Sequence, residues 1–338
     1  EHYASMERYM DWLATTELSG PNATYGDWLA YEPTDARYIS VAYYALDARY
    51  MAAMSRAIDR ADRAAHYDSL FEQIRDHFRR IYCNAEGDLN PEVRTQTGYL
   101  LALRNDLLLP ERRPAAVAAL KQKIIDNGYK LSTGFVGSCI LNEVLAEFGE
   151  NDLAYSLLLQ TENPSWLYSV HQGATTIWER WNSYTKATGF GDVGMNSFNH
   201  YAYGAVQEWM YRHIAGIETT VTWRKTEQAP GFAHPILQPK PDTRSAEEIP
   251  AGQEKITWVR TSFASPVGLI ESAWDMTDGF TYTCRVPVAA TLHLPLIGNA
   301  ETLVINGVAH KPDEFKLCPV GKGVTIELAP GAYTFEQK

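Results

Sequence analysis

The hydrophobic period changes once along this chain, at Gly216, and that switch limits the fold more than any other feature. Before it, apolar residues recur at helical spacing; after it, they alternate as in strands. Residues 36–60 place Ile39, Ala42, Tyr43, Leu46, Tyr50, Met51 and Met54 on one helical face. Residues 63–82 repeat the pattern with Tyr67, Leu70, Phe71, Ile74, Phe78 and Ile81. The spacing predicts further helices over 2–15, 94–108, 114–128, 137–148, 151–160 and 197–213, with Pro and Gly in the gaps and Asn151-Asp152 as an N-cap. That makes about eight helices, without a fixed-length repeat.

Beyond Gly216, short β-branched and aromatic runs occupy 219–223, 255–264, 268–274, 280–286, 290–296, 302–305, 323–328 and 332–335. Turn pairs such as Asp278-Gly279, Asn306-Gly307 and Pro330-Gly331 separate them. The fold class is therefore mainly α followed by all-β, the second block a β-sandwich. A length of 338 residues suits two domains, with expected bounds of 1–217 and 218–338. The charged, proline-bearing stretch 239–253 reads as a long polar loop.

Several function classes fall away. A net charge of −11 argues against a nucleic-acid partner, because phosphate contact needs a basic surface. No apolar run is long enough for a membrane span. Cys83, Cys139, Cys284 and Cys318 are scattered and read as free thiols, with a Cys284–Cys318 disulfide left open. The histidines do not cluster, so no metal site and no cofactor are expected. There is no GxSxG elbow, phosphate loop or dinucleotide fingerprint.

Carboxylate chemistry among aromatic rings remains. Residues 163–212 hold Trp166, Trp178, Trp181 and Trp209, four of nine tryptophans. Glu179 lies between Trp178 and Arg180-Trp181, where desolvation would raise its pKa toward a useful range for proton transfer. The same residues also read as a structural Glu–Arg pair beside core tryptophans. Tyr25-Gly26-Asp27-Trp28 is a second cluster, in a loop. Asp27 could orient a sugar hydroxyl while Trp28 stacks on the ring; equally, the segment could be a turn with Trp28 as a plug. His200, near the expected start of a helix, could donate to a hydroxyl or be a structural residue. Paired carboxylates and aromatic platforms are the logic of glycoside hydrolysis.

Seven segments carry a resemblance across essentially the whole chain: Tyr25 to Leu29, Thr95-Gln96-Thr97, Leu131 to Gly137, Gly173 to Trp181, Gly194 to Tyr203, Ser265 to Ile270, and Val304-Ile305-Asn306-Gly307. In this order they resemble the bacterial α-L-rhamnosidases, inverting glycoside hydrolases with an (α/α)6-barrel catalytic domain and a C-terminal β-sandwich. The resemblance implies that Glu179 is the general base, that His200 contacts rhamnose, and that Trp28 with Asp27 lines the sugar site. It implies lesser roles for Trp178 and Trp181. It also implies a rhamnose-containing glycoside as substrate and no cofactor, while the compartment, bacterial cytoplasm or periplasm, stays open.

One departure matters. The family's barrel has twelve helices, and its general acid lies in an Asp-Glu-Arg-rich segment ahead of the Gly-Asp-Trp loop. Here that segment has no counterpart: 24 residues precede Tyr25, and Glu1, Glu7 and Glu17 match no motif. The expectation is an incomplete barrel, the C-terminal part of the enzyme, inactive alone unless Asp27 serves as the acid. The chain also lacks an initiator Met and a signal peptide. Apolar faces left by absent helices would favour association, including a homo-oligomer. The competing readings are another inverting (α/α)6 hydrolase, a glycoside phosphorylase with Arg180 as its phosphate contact, a non-catalytic rhamnose-binding fragment, and a structural scaffold.

Overall fold

A computed structural model describes residues 2–21, 24–219, 230–319 and 321–338. Among them, the helices are α1 (Tyr3–Leu13), α2 (Ala36–Ala57), α3 (Ala61–Tyr82), α4 (Gln96–Arg104), α5 (Arg113–Asp126), α6 (Phe135–Glu147), α7 (Asn151–Leu158), α8 (Trp166–His171) and α9 (Val206–Trp209). The chain forms two compact units, one of residues 1–148 and 157–204, the other of 149–156 and 205–338.

Burial separates the helices of the first unit into two kinds. Every residue of α4 from Gln96 to Leu103 is buried, and so are most of α2 and α6. By contrast, α3 buries only the stripe Ala64, Tyr67, Ile74, His77 and Phe78, and α5 only Ala116, Val117, Leu120 and Ile124. A helix apolar on all sides must be inner, and an amphipathic one outer. α2 packs on α3 and α4, and α4 packs on α5 and α6. This alternation of inner and outer helices is that of an (α/α) barrel, and the described helices form part of one.

The loops ahead of the inner helices are tied to one another. Thr34 Oγ1 and Thr95 Oγ1, before α2 and α4, are 2.5 Å apart. Glu32 accepts from the Ser132 hydroxyl at 3.1 Å and from the Gln96 N–H at 3.4 Å. Tyr31 donates to Asn163 Oδ1, ahead of α8, at 2.9 Å. The N-termini of α2, α4, α6 and α8 therefore lie at one end, where their dipoles converge.

Two expectations for this region need correcting. The short helix α8 was not visible in the periodicity; its six residues are too few for a helical stripe, and Ser165 caps it by accepting from the Tyr168 N–H. The helix expected over 197–213 begins only at Val206, after a 3-10 turn over Ala202–Ala205, and ends in a π-turn over Met210–Ile214. Residues 197–200 are instead paired with 176–179. A two-residue hairpin, β1 (Tyr184–Thr185) with β2 (Gly189–Phe190), also interrupts the helical part.

The second unit holds the all-β part. Its strands are β3 (Ile217–Glu218), β4 (Ile236–Leu237), β5 (Trp258–Ser265), β6 (Gly268–Asp275), β7 (Thr281–Val286), β8 (Ala290–Pro295), β9 (Leu303–Ile305), β10 (Val308–His310), β11 (Lys316–Leu317), β12 (Gly323–Leu328) and β13 (Gly331–Gln337). One sheet runs β10-β9-β13-β7-β6-β5 and the other β11-β12-β8-β4-β3. All pairs are antiparallel except β4 with β8. Of the expected strand at 219–223, residues 220–223 lie outside the described residues. Asn306-Gly307 closes the β9–β10 hairpin with φ of 50° and 85°, the left-handed pair that a two-residue turn requires. The four cysteines are free.

The stretch 239–253 has no regular structure, but it is not simply solvated. Arg244 is 1% exposed and forms a two-pronged pair with fully buried Asp242, at 2.9 and 2.8 Å. Asp242 also accepts from the Ile256 N–H, while Arg244 reaches Ser156, Gln253 and the Glu254 carbonyl. Removing one partner would strand the other charge. We expect Arg244→Ala to destabilise the protein by about 3–5 kcal/mol in urea unfolding.

Asp47, on α2, offers a test by pH. Burial pushes its carboxyl up from 3.8 to about 6. A raised folded-state value favours the protonated form, so the stabilisation is full below the unfolded value and is lost as pH rises toward 6. Asp47→Asn should flatten the stability profile between pH 4 and pH 6, measured as unfolding midpoint against pH.

Candidate active site

The candidate residues sit on loops at the end where the inner helices begin. The first loop is fixed by Asp27. Its Oδ2 accepts from the Thr97 hydroxyl (2.5 Å) and the Gly134 N–H (2.9 Å); its Oδ1 accepts from the N–H groups of Val136 (2.8 Å) and Gly137 (3.2 Å). A helix N-terminus presents unpaired N–H groups and positive potential, and a carboxylate satisfies both. Burial pushes the Asp27 carboxyl above its ordinary range, and the four hydrogen bonds offset only part of that rise. The approach is too close for side chains. A Cβ on Gly134 would lie 2.1 Å from the Trp28 carbonyl, and one on Gly137 would lie 2.2 Å from Thr97 Oγ1. Asp27 thus spends its lone pairs on the chain itself, with no acceptor position left for a sugar hydroxyl or a leaving group.

The carboxylate sets its neighbours. The Phe135 N–H donates to the Trp28 carbonyl at 3.0 Å. Trp28 is half-buried, its ring edge-on to Tyr25 at 5.2 Å. The Phe135 ring packs on His200, centroids 4.9 Å apart. Trp28 and His200 are therefore gathered at the start of α6.

Glu179 and His200 lie on facing extended segments. The Glu179 N–H donates to the Ser197 carbonyl (2.9 Å), and the His200 N–H donates to the Ile177 carbonyl (2.8 Å). The Thr176 hydroxyl donates to the Phe198 carbonyl. The Glu179 side chain adds a further tie, with Oε2 accepting from the Ser197 N–H at 2.7 Å. Glu179 is only 7% exposed, and its Oε1 has no protein partner among the described residues. One oxygen is anchored and the other is open to a water.

His200 Nδ1 accepts from the Ala202 N–H at 3.3 Å. A neutral imidazole accepting there carries its proton on Nε2, which becomes a donor. Arg180 does not pair with Glu179. It donates to the Met195 carbonyl at 2.8 Å and pairs with Asp192 at 3.5 Å, so Glu179 is not half of a structural Glu–Arg pair.

The two remaining tryptophans are packed differently. Trp181 stacks on Tyr203 at 3.8 Å, meets Trp166 edge-on, and donates its indole N–H to the Thr133 carbonyl at 2.9 Å. Trp178 is buried with its ring edge-on to Phe198. Both rings are packed in the core.

The sequence did not show the anchoring role of Ser197, which acts through its backbone. Nor did it show that Thr97 and Gly134 belong to Asp27, although both lie in segments that carry the resemblance. A cleft of about 730 Å³ beside Tyr31, Tyr99 and Lys123 contains none of the candidate residues. Replacing Asp27 with Ala should cost about 3 kcal/mol in chemical unfolding, because three buried N–H groups and a hydroxyl lose their acceptor.

Comparison with known proteins gives the family of the chain. The family model for the bacterial α-L-rhamnosidase six-hairpin glycosidase domain matches residues 1–214, and that for the bacterial α-L-rhamnosidase C-terminal domain matches 221–308. An α-L-rhamnosidase of Formosa agariphila is 35% identical over 98% of this chain and 33% of its own length. One of Streptomyces avermitilis is 38% identical over 81% of this chain and 25% of its own. The crystal structure of a Streptomyces avermitilis α-L-rhamnosidase complexed with L-rhamnose superposes with a TM-score of 0.84 at 32% identity, covering 99% of this chain and 30% of that one. An α-L-rhamnosidase from Dictyoglumus thermophilum gives 0.83 at 25% identity, covering 100% and 36%. The chain spans about a third or less of the length of the curated relatives it matches. With the barrel helices and the β domain both matched, the chain belongs to the bacterial α-L-rhamnosidase six-hairpin glycosidase family.

Proposed function

We propose that this chain carries the general base and sugar-contacting side of an inverting α-L-rhamnosidase site. The observation that carries the reading is the state of Glu179: buried, held through Oε2 by the Ser197 N–H, with Oε1 open. A base for hydrolysis needs one oxygen fixed and one directed at water. Oε1 would take a proton from the water as the water attacks the anomeric carbon from the face opposite the leaving oxygen. The Nε2–H of His200 would donate to a sugar hydroxyl. The Trp28 ring would meet the less polar face of the deoxysugar, including its methyl group.

The acid is the second requirement. Inverting sites separate the two carboxyl groups by roughly 6.5–9.5 Å to admit the water. Asp27 does not suit the role, because its oxygens are committed to Thr97 and the α6 N–H groups. We assign the acid to the part of the enzyme that these 338 residues do not include. The domain bounds 1–217 and 218–338 belong to the same proposal, the first as catalytic barrel and the second as β domain. A phosphorylase would need a basic contact near Glu179, and Arg180 is held by Asp192 and Met195.

The test is hydrolysis of an aryl α-L-rhamnopyranoside by the whole enzyme and its Glu179→Gln form, followed by NMR of the first-formed anomer. We expect inversion, no dependence on phosphate, and a fall in kcat of at least about 100-fold with rhamnose binding retained. A variant with more than about a hundredth of the parent kcat would remove Glu179 from the role of base. Rhamnose binding by a whole enzyme that hydrolyses no rhamnoside would favour the non-catalytic reading.

A further inference from the structure

The outer face of the six-stranded sheet carries a group of residues that neither the barrel chemistry nor the sheet's own packing uses. Trp258, at the start of edge strand β5, is 58% exposed. The exposed ring offers a flat apolar surface with polar groups beside it. The Arg260 guanidinium lies over the ring, 5.9 Å from its centroid. In register with these two are Asp275 and Ala273 on β6, and beyond them Thr281 and Thr283 on β7. The β6–β7 turn brings Asp278 and Gly279 to the same rim.

Together these residues line an open depression of about 440 Å³, within the range of about 300–1,000 Å³ that small-ligand sites occupy. Its floor is low because Ala273 and Thr283 are small. Its wall is an aromatic ring, and its rim holds polar groups with capacity to spare. Asp278 and the Arg260 guanidinium make no hydrogen bond or ion pair among the described residues. Asp275 spends Oδ1 on the Thr277 N–H at 2.7 Å, and that bond holds its carboxyl below the ordinary range.

We propose that this depression is an accessory binding site for a neutral pyranose sugar, with Trp258 as stacking platform and Arg260, Asp275 and Asp278 as partners for ring hydroxyls. A pyranose offers one face of C–H groups, which suits an indole, and an equatorial rim of hydroxyls that donate and accept. Adjacent hydroxyls match the forked donors of a guanidinium and the paired acceptors of a carboxylate. Two carboxylates against one guanidinium give the rim a net negative charge, which disfavours acidic sugars and points to neutral ones. The site stands independently of the Glu179 reading, since it shares no residue with it. Its use would be to hold a polymeric or branched glycan against the enzyme, raising the local concentration of chain ends.

The test uses the whole enzyme labelled with 5-fluorotryptophan, the Trp258 signal being assigned by its loss in Trp258→Phe. L-rhamnose, D-galactose and D-galacturonate are titrated while the ¹⁹F spectrum is recorded. We expect a saturable shift of the Trp258 signal with a neutral sugar at a Kd of about 1–10 mM. Arg260→Ala and Asp278→Ala should each weaken it at least about fivefold. Trp28→Ala should leave this response intact, which separates it from binding in the barrel. A Trp258 signal that does not move with either neutral sugar, or that moves without saturation, overturns the proposal. So does a response unchanged by both rim variants, or tighter binding of galacturonate.

Discussion

The carboxylate of Asp27 is the interaction on which the rest of the candidate site depends. It closes the start of α6 with three backbone N–H bonds and draws in the Thr97 hydroxyl from α4. That contact fixes the loop carrying Trp28 against Phe135, and the Phe135 ring in turn supports His200. One buried charge therefore orders groups from three distant parts of the sequence. Its cost is desolvation, which the positive end of the helix and the hydrogen bonds offset in part. The two glycines beside it leave no room for side chains, so the contact depends on backbone approaching backbone.

What the sequence shows and hides follows from the range of each interaction. Helices α2 to α6 are legible because their apolar spacing is local and long enough to count. The β9–β10 turn is legible because Asn306-Gly307 states its own backbone geometry. α8 is too short to show a stripe, and 197–200 falls in the expected helix but has its backbone taken by 176–179. The candidate residues were legible as residue types and through family resemblance. Their division of labour was not: Asp27 looked like a sugar ligand and is committed to the chain, while Ser197, unremarked in the sequence, anchors Glu179.

The second unit shows the same limit from the polar side. Composition marks 239–253 as charged, and charge in a loop ordinarily means contact with water. Here Asp242 and Arg244 are almost fully enclosed, and their remaining donors and acceptors are matched by Ser156, Gln253, Glu254 and Ile256. A buried ion pair contributes little net stability when complete and a large penalty when halved. It therefore acts as a constraint on conformation, fixing a long connection that has no helix or strand to hold it.

The ties among the loops at the starts of α2, α4, α6 and α8 carry a consequence for how such a site can diversify. Thr34 with Thr95, Glu32 with Ser132 and Gln96, and Tyr31 with Asn163 make four loops into one mechanical object. An insertion or deletion in any one of them would be transmitted to the others and so to the loop that carries Trp28. These loops would therefore resist changes in their length. Variation in length would fall to segments outside the interlock, such as the hairpin over 184–190, which makes none of these ties.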